Sequence, residues 1–73
     1  MIKIKYNNTS IRCVNMPNCG NTLIVAHYND EIVSFILKGQ EIAKSIIKNK
    51  YLIKLIFNKI KDEYELYRTL LNS

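Results

Sequence analysis

Two cysteines and one histidine are the residues of this chain best suited to metal binding or nucleophilic chemistry. Cys13 and Cys19 flank five residues in the stretch CVNMPNC, and His27 is the only histidine. Structural zinc sites take about four ligands and bring their cysteines in pairs roughly two to four residues apart. Because the chain offers too few such ligands, we expect no metal and no cofactor. We expect a buried Cys13 and a loop Cys19, both reduced in a cell, with a disulfide across the loop as the alternative.

The acidic residues show no spacing that indicates catalysis. Asp30-Glu31 fall at a predicted turn and residues 62–65 on a predicted helix, where solvation and ion pairs such as Lys61 with Glu65 explain them. A lone His27 in a strand is more typical of a partly exposed structural residue than of a general base. With only two glycines there is no glycine-rich loop to hold a phosphate. We therefore expect a protein that is not an enzyme and has no small-molecule substrate.

The net charge of +5 makes nucleic-acid binding the alternative function. Lysines of the helical region would carry it: Lys44, Lys48, Lys50, Lys54, Lys59 and Lys61. Against it, only two of the eleven cations are arginine, and no helix-turn-helix, zinc finger or aromatic RNA-binding motif is present. A basic surface that docks on an acidic patch of another protein agrees with the charge equally well.

Composition indicates one small intracellular domain. The 73 residues are 48% apolar, and lysines interrupt every apolar run, so no segment reaches the ~20 apolar residues of a membrane span. The N-terminal MIKIKYNN alternates charge with isoleucine, unlike a signal peptide. We expect a cytoplasmic protein with no membrane partner. Isoleucine, lysine and asparagine, all encoded by AT-rich codons, are abundant, which suggests an AT-rich bacterial, phage or viral genome and a second explanation for the lysines.

The first half of the chain predicts two β-hairpins. In hairpin 1, residues 1–16, we expect a four-residue turn over residues 7–10 that pairs Tyr6 with Ile11. Lys3, Lys5 and Arg12 then share one basic face, and the apolar residues share the other. Residues 17–21 form a loop rich in turn-forming residues, and residues 22–38 form hairpin 2.

Hairpin 2 is apolar on both faces. A two-residue turn at Asn29-Asp30 pairs Tyr28 with Glu31 and fixes the register. One face then carries Ile24, Ala26, Tyr28, Val33, Phe35 and Leu37. Of the two sets only the other one contains polar groups, so we assign it to the outside: Leu23, Val25, His27, Ile32, Ser34 and Ile36.

The second half of the chain, residues 40–72, predicts helix. Gln40-Glu41 open it, and Lys48-Asn49-Lys50 interrupts the apolar spacing, so we expect a break near Asn49. Beyond the break one apolar stripe runs along the helix: Ile53, Ile56, Ile60, Tyr64, Tyr67 and Leu71. The predicted fold is α+β, with a four-stranded antiparallel sheet of two hairpins followed by one long or two shorter C-terminal helices packed on one face.

One helical layer covers one side of the sheet, and the apolar outer side of hairpin 2 then needs another cover. We expect a second copy of the chain or a different protein to bind there, with Lys3, Lys5 and Arg12 at the border of the site. The alternative is a monomer whose segment after Asn58 folds across this side. The predicted function is protein binding without catalysis, through a homodimer, as a mobile-element regulator or inhibitor that occludes a host protein complex.

Overall fold

The computed structural model describes residues 1–39 and 42–72 of the chain. Four strands come first: β1 (Ile2–Tyr6), β2 (Thr9–Met16), β3 (Asn21–Tyr28) and β4 (Glu31–Lys38). Two helical segments follow, α1 (Ile42–Lys48) and α2 (Lys50–Leu71). The strands form one antiparallel sheet in the order β1-β2-β3-β4. This arrangement confirms the predicted α+β fold, while the expected helix start at Gln40-Glu41 lies outside the described residues.

The register of hairpin 1 differs from the prediction. Asn7 and Asn8 both take positive φ, 48° and 60°, and form a two-residue turn, so Tyr6 pairs with Thr9 and Ile4 with Ile11. Asparagine tolerates this left-handed backbone because its short polar side chain can bond locally. The observed pairing is shifted by two residues from the expected one, and an even shift leaves every side chain on its predicted face.

Hairpin 2 follows the prediction. Asn29 and Asp30 take φ of 50° and 64°, and the pairing runs from Tyr28 with Glu31 to Asn21 with Lys38. The apolar set that includes Ile24 faces the core and the outer set faces away from it. The sheet-to-helix connection is anchored on this hairpin, because the Thr22 hydroxyl donates a 2.6 Å hydrogen bond to the carbonyl of Gly39.

The core lies between the inner face of the sheet and the two helical segments. Its buried members come from every layer of the fold: Ile11, Cys13, Ile24, Ala26, Val33, Ile46, Ile56 and Ile60. The predicted stripe on α2 therefore packs inward at Ile56 and Ile60. The predicted stripe does not include Phe57, although this residue is buried against Tyr6 and Tyr28, with ring centroids 5.1 and 6.0 Å away.

Helix α2 is longer than the sheet it covers. Twenty-two residues at ~1.5 Å each span about 33 Å, whereas four strands at ~4.8 Å spacing are about 14 Å wide. Its contacts move from Tyr6 at the end of β1 to Glu31 at the start of β4, where Arg68 Nη1 lies 3.2 Å from the Glu31 carboxylate. The last turns therefore pass the β4 edge, and the stripe residues Tyr67 and Leu71 stay 57% and 63% exposed.

The predicted break is at Asn49. Its backbone is extended, with φ −130° and ψ 100°, and its side-chain oxygen accepts hydrogen bonds from the N–H groups of Tyr51 and Leu52 at 3.0 and 3.3 Å. These bonds satisfy N–H groups that the first turn of α2 leaves without a helical partner.

We expect Asn49→Ala to lower the free energy of unfolding by about 0.5 to 2 kcal/mol, because two N–H groups lose their acceptor. Urea unfolding followed by circular dichroism measures the change. Asn58→Ala, in the exposed middle of the same helix, is the matched control and should be neutral or slightly stabilising. Equal losses for the two variants would show that the cap contributes nothing.

Candidate functional site

The outer face of the sheet is the candidate site, and the strand register sets its layout. Lys3 lies opposite Arg12, Arg12 opposite Val25, and Val25 opposite Ser34, so one row crosses all four strands from two cations to uncharged residues. The next row toward the turns holds Lys5, Ser10, His27 and Ile32 in the same order. We call this surface the outer face.

The apolar part of the outer face lies on β3 and the edge strand β4 and is open, and we call it the apolar centre. Ile32 is 65% exposed and Ile36 is 54% exposed, and Leu23 and Val25 beside them are half-buried. Leu23 pairs directly with Ile36, so their side chains form one continuous patch. Helix α2 packs on the opposite side of the sheet through Ile56 and Ile60, which sets aside the alternative of a C-terminal segment folded across the outer face.

The border of the outer face is cationic. Lys3, Lys5 and Arg12 are exposed and point the same way, as the sequence predicts. Lys38, at the end of β4 opposite Asn21, adds a fourth cation. No strand residue on this face carries a carboxylate, since Glu31 pairs with Tyr28 on the inner side.

Val14 and Lys38 also belong to the outer face and are absent from its predicted residues. Val14 lies opposite Leu23 and is half-buried, which extends the apolar centre onto β2, and Lys38 extends the border. The alternation of side chains along β2 from Arg12 was signal enough for Val14. Its place beside Leu23 follows only from the pairing of β2 with β3, which joins the two hairpins.

A shallow hollow of about 630 Å³ marks the turn end of the outer face. His27 lines it with residues of both turns and of β1: Lys5, Asn8, Ser10, Asn29 and Asp30. His27 is exposed, as expected of a structural histidine. Among the residues that the structure describes, no three His, Cys, Asp or Glu side chains group as metal ligands.

No family model, curated protein or solved structure matches the chain. Within residues 1–39 and 42–72, no helix has the length and apolar character needed to cross a membrane.

The two cysteines lie where the sequence places them. Cys13 is buried in the core and Cys19 is exposed in the turn after β2, and both thiols are free. Burial raises the pKa of the Cys13 thiol above its usual value, because the thiolate would lose its hydration. Cys13 is therefore an unreactive core residue at neutral pH.

The helical lysines proposed for nucleic acid fall into two groups. Lys59 forms an ion pair with Glu63 at 3.8 Å and lies over the Phe35 ring, and Lys61 lies over the Phe57 ring instead of pairing with Glu65. The other four are exposed around the α1–α2 junction: Lys44, Lys48, Lys50 and Lys54. The six therefore do not form one continuous surface with the cations of the outer face.

Proposed function

We propose that this protein is a non-enzymatic binding module whose outer face docks on another protein. The observation that carries the proposal is the open pair Ile32 and Ile36, 65% and 54% exposed, in an apolar patch bordered by cations. An apolar centre with a charged border is the usual anatomy of a protein interface. The partner that fits is a different protein with an apolar patch and acidic residues around it. Occluding a complex of a host cell is one way in which such docking would act.

Charge favours a different protein over a second copy at this face. Two outer faces packed against each other would bring together two sets of four cations, with no strand carboxylate between them to compensate. Like charges facing each other across an interface cost several kcal/mol. An acidic partner would be attracted by the same cations, which would orient the two proteins and raise their association rate.

The apolar centre supplies the affinity. Full burial of an isoleucine side chain contributes on the order of 1.5 to 3 kcal/mol. Ile32 and Ile36 each have more than half of their surface exposed, and a partner would bury it. Exposed cations at a border add little affinity by themselves and act mainly on the association rate.

The test is capture of host proteins on immobilised chain, followed by purification and titration of the captured protein with variants. We expect Ile36→Asp to weaken the dissociation constant by about tenfold or more, because it places a carboxylate in the apolar centre. Arg12→Glu should mainly lower the association rate and reduce its dependence on salt.

Lys54→Glu is the matched control, since it reverses one exposed cation on α2, away from the outer face. A captured protein whose affinity is unchanged by Ile36→Asp and Arg12→Glu contradicts the proposal, and so does a preparation that captures none. Binding to random duplex DNA that falls steeply with salt and is lost in Lys54→Glu would favour nucleic acid instead.

A further inference from the structure

The two edges of the sheet are built differently. β1 is five residues long and carries Lys3 and Lys5, which is how natural edge strands discourage pairing with another chain. β4 is eight residues long and has no charge or proline between Ile32 and Leu37. One edge is therefore protected and the other is left open to pairing.

The hydrogen-bonding groups of the open edge can be assigned from one bond. The N–H of Gly39 donates to the carbonyl of Gly20 at 3.0 Å, so these opposed residues are a hydrogen-bonded pair. Bonded and non-bonded pairs alternate along an antiparallel ladder. Ile32, Ser34 and Ile36 therefore point their N–H and C=O groups away from β3, toward the open edge.

Helix α2 overhangs this edge. Tyr64 is fixed on Tyr28 with ring centroids 5.0 Å apart, and the turns after it extend past β4. Tyr67 and Leu71 in these turns, together with β4 from Ile32 to Ser34, line a groove of about 730 Å³ along the edge. If one more strand paired with this edge, Tyr67 and Leu71 would cover its inner side.

We propose that the strand in this space is β4 of a second copy, paired antiparallel about a two-fold axis at Ser34. In this pairing the outer-face residues of one copy lie opposite the outer-face residues of the other, and Ile32 lies beside Ile36 of the second copy. The exposed ends of α2 cover the inner face of the neighbouring copy, where Phe35 and Leu37 are only half-buried. The result is one continuous sheet with both helical layers on one side.

Charge selects this partner and this register. Asp30 lies at the turn end of the groove, and β4 ends in Lys38. Glu31 and Glu63 also line the groove, but they form ion pairs with Arg68 and Lys59 of their own copy. An axis at Ser34 places Lys38 of the second copy near Asp30, the turn residue just before β4, and symmetry repeats the pair at the other end. Moving the axis to Phe35 would place Lys38 opposite Ile32 and lose both pairs.

In a dimer with a second copy, the helix ends extend the contact beyond the two strand edges. Stable interfaces bury roughly 1,200 to 2,000 Å² in total, which requires more than a strand edge of eight residues. The two overhanging helix ends, related by the same axis, add Tyr67 and Leu71 from each copy. The dimer leaves both outer faces open and side by side, and it would present two binding faces in one plane.

Sedimentation of the wild type and two proline variants tests the pairing. Ser34→Pro removes an N–H that faces the open edge, so the sheet within each copy is kept while pairing between copies is blocked. We expect a dimeric wild type and a dimer dissociation constant raised at least about tenfold in Ser34→Pro. Lys5→Pro makes the same change at the β1 edge and should remain a dimer. Circular dichroism shows whether each variant is folded.

Cross-linking tests the register, in a Cys19→Ser background that removes the exposed thiol. Ser34→Cys places two thiols on the axis with Cα atoms about 5.5 Å apart, within the range of a disulfide. We expect a covalent dimer on mild oxidation. Ile32→Cys, about 14 Å from its symmetry mate, should form none.

A wild type that stays monomeric at every concentration overturns the proposal, as does a Ser34→Pro variant that remains a dimer. Cross-linking through Ile32→Cys but not through Ser34→Cys overturns the register. Lys38→Glu should weaken the dimer about three- to tenfold at low salt and less at high salt. Arg12→Glu, used for the outer face, should leave the dimer unchanged, which separates this outcome from failure of the proposed function.

Discussion

Ile46→Ala is expected to lower the free energy of unfolding by about 2 to 5 kcal/mol, whereas Ile47→Ala, at the next position of the same helix, should change it by less than about 0.5 kcal/mol. Ile46 is fully buried in the core, and Ile47 is 65% exposed. The two substitutions remove the same atoms from the same residue type. The difference between them therefore reports burial alone.

The size of the first effect comes from a cavity as well as from lost transfer free energy. Ile46 packs from α1 against a core supplied by the sheet and α2, and the backbone of a seven-residue helix can only partly close the space left by alanine. A domain of this length has a stability of roughly 4 to 10 kcal/mol, so the loss is a large fraction of the whole.

Urea unfolding at one fixed protein concentration measures both variants, since any self-association makes the midpoint depend on concentration. Similar losses at the two positions would contradict the assignment of Ile46 to the core and Ile47 to the surface. A change in the slope with urea would show instead that the compactness of one state had changed.

Phe57→Ala is the second large effect, with an expected loss of about 3 to 5 kcal/mol. Phe57 is 9% exposed and meets Tyr6 and Tyr28 edge-to-face at interplanar angles of 70° and 78°. These tyrosines end β1 and β3, the strands that lead into the two hairpin turns. One side chain of α2 therefore fixes the helix to the turn end of both hairpins.

A substitution series separates the aromatic contribution from the burial. Phe57→Leu keeps most of the buried apolar surface and loses the two ring contacts, each worth about 0.5 to 1.5 kcal/mol, so we expect a loss of roughly 1 to 3 kcal/mol. Tyr51→Ala, an aromatic residue of the same helix that is 67% exposed, is the control and should cost little. Equal losses for the leucine and alanine variants would show that ring geometry, not burial, dominates.

The position of α2, fixed by Phe57 and Tyr64, leaves both proposed binding surfaces exposed. By holding α2 across the turn end of the sheet, Phe57 and Tyr64 leave the outer face open on one side and direct the last turns of α2 past β4 on the other. Loss of Phe57 should therefore weaken the proposed dimer through the position of α2. The outer face, which depends on the strands alone, should be affected only through stability.

Most of the sheet could be predicted from local signals. Asn29-Asp30 set the register of hairpin 2, because a two-residue turn allows only one pairing of the flanking strands. Alternation in β1 predicts Lys3 and Lys5 on one face, and this is correct. The predicted turn had four residues, whereas the observed turn at Asn7-Asn8 has two. Side-chain direction repeats every two residues, so an error of two residues in register left the faces intact.

Local patterns in the sequence were enough to predict the fold class, the strand faces, the helix break at Asn49 and the excess of apolar surface. The location of that excess could not be predicted, because the direction of α2 across the sheet depends on packing between residues distant in sequence, such as Phe57 with Tyr6. The periodicity of α2 marks Tyr67 and Leu71 as part of the stripe that holds Ile60, yet only Ile60 has the sheet beneath it. Periodicity records which side of a helix is apolar, and the width of the sheet determines how much of that side is buried within the chain.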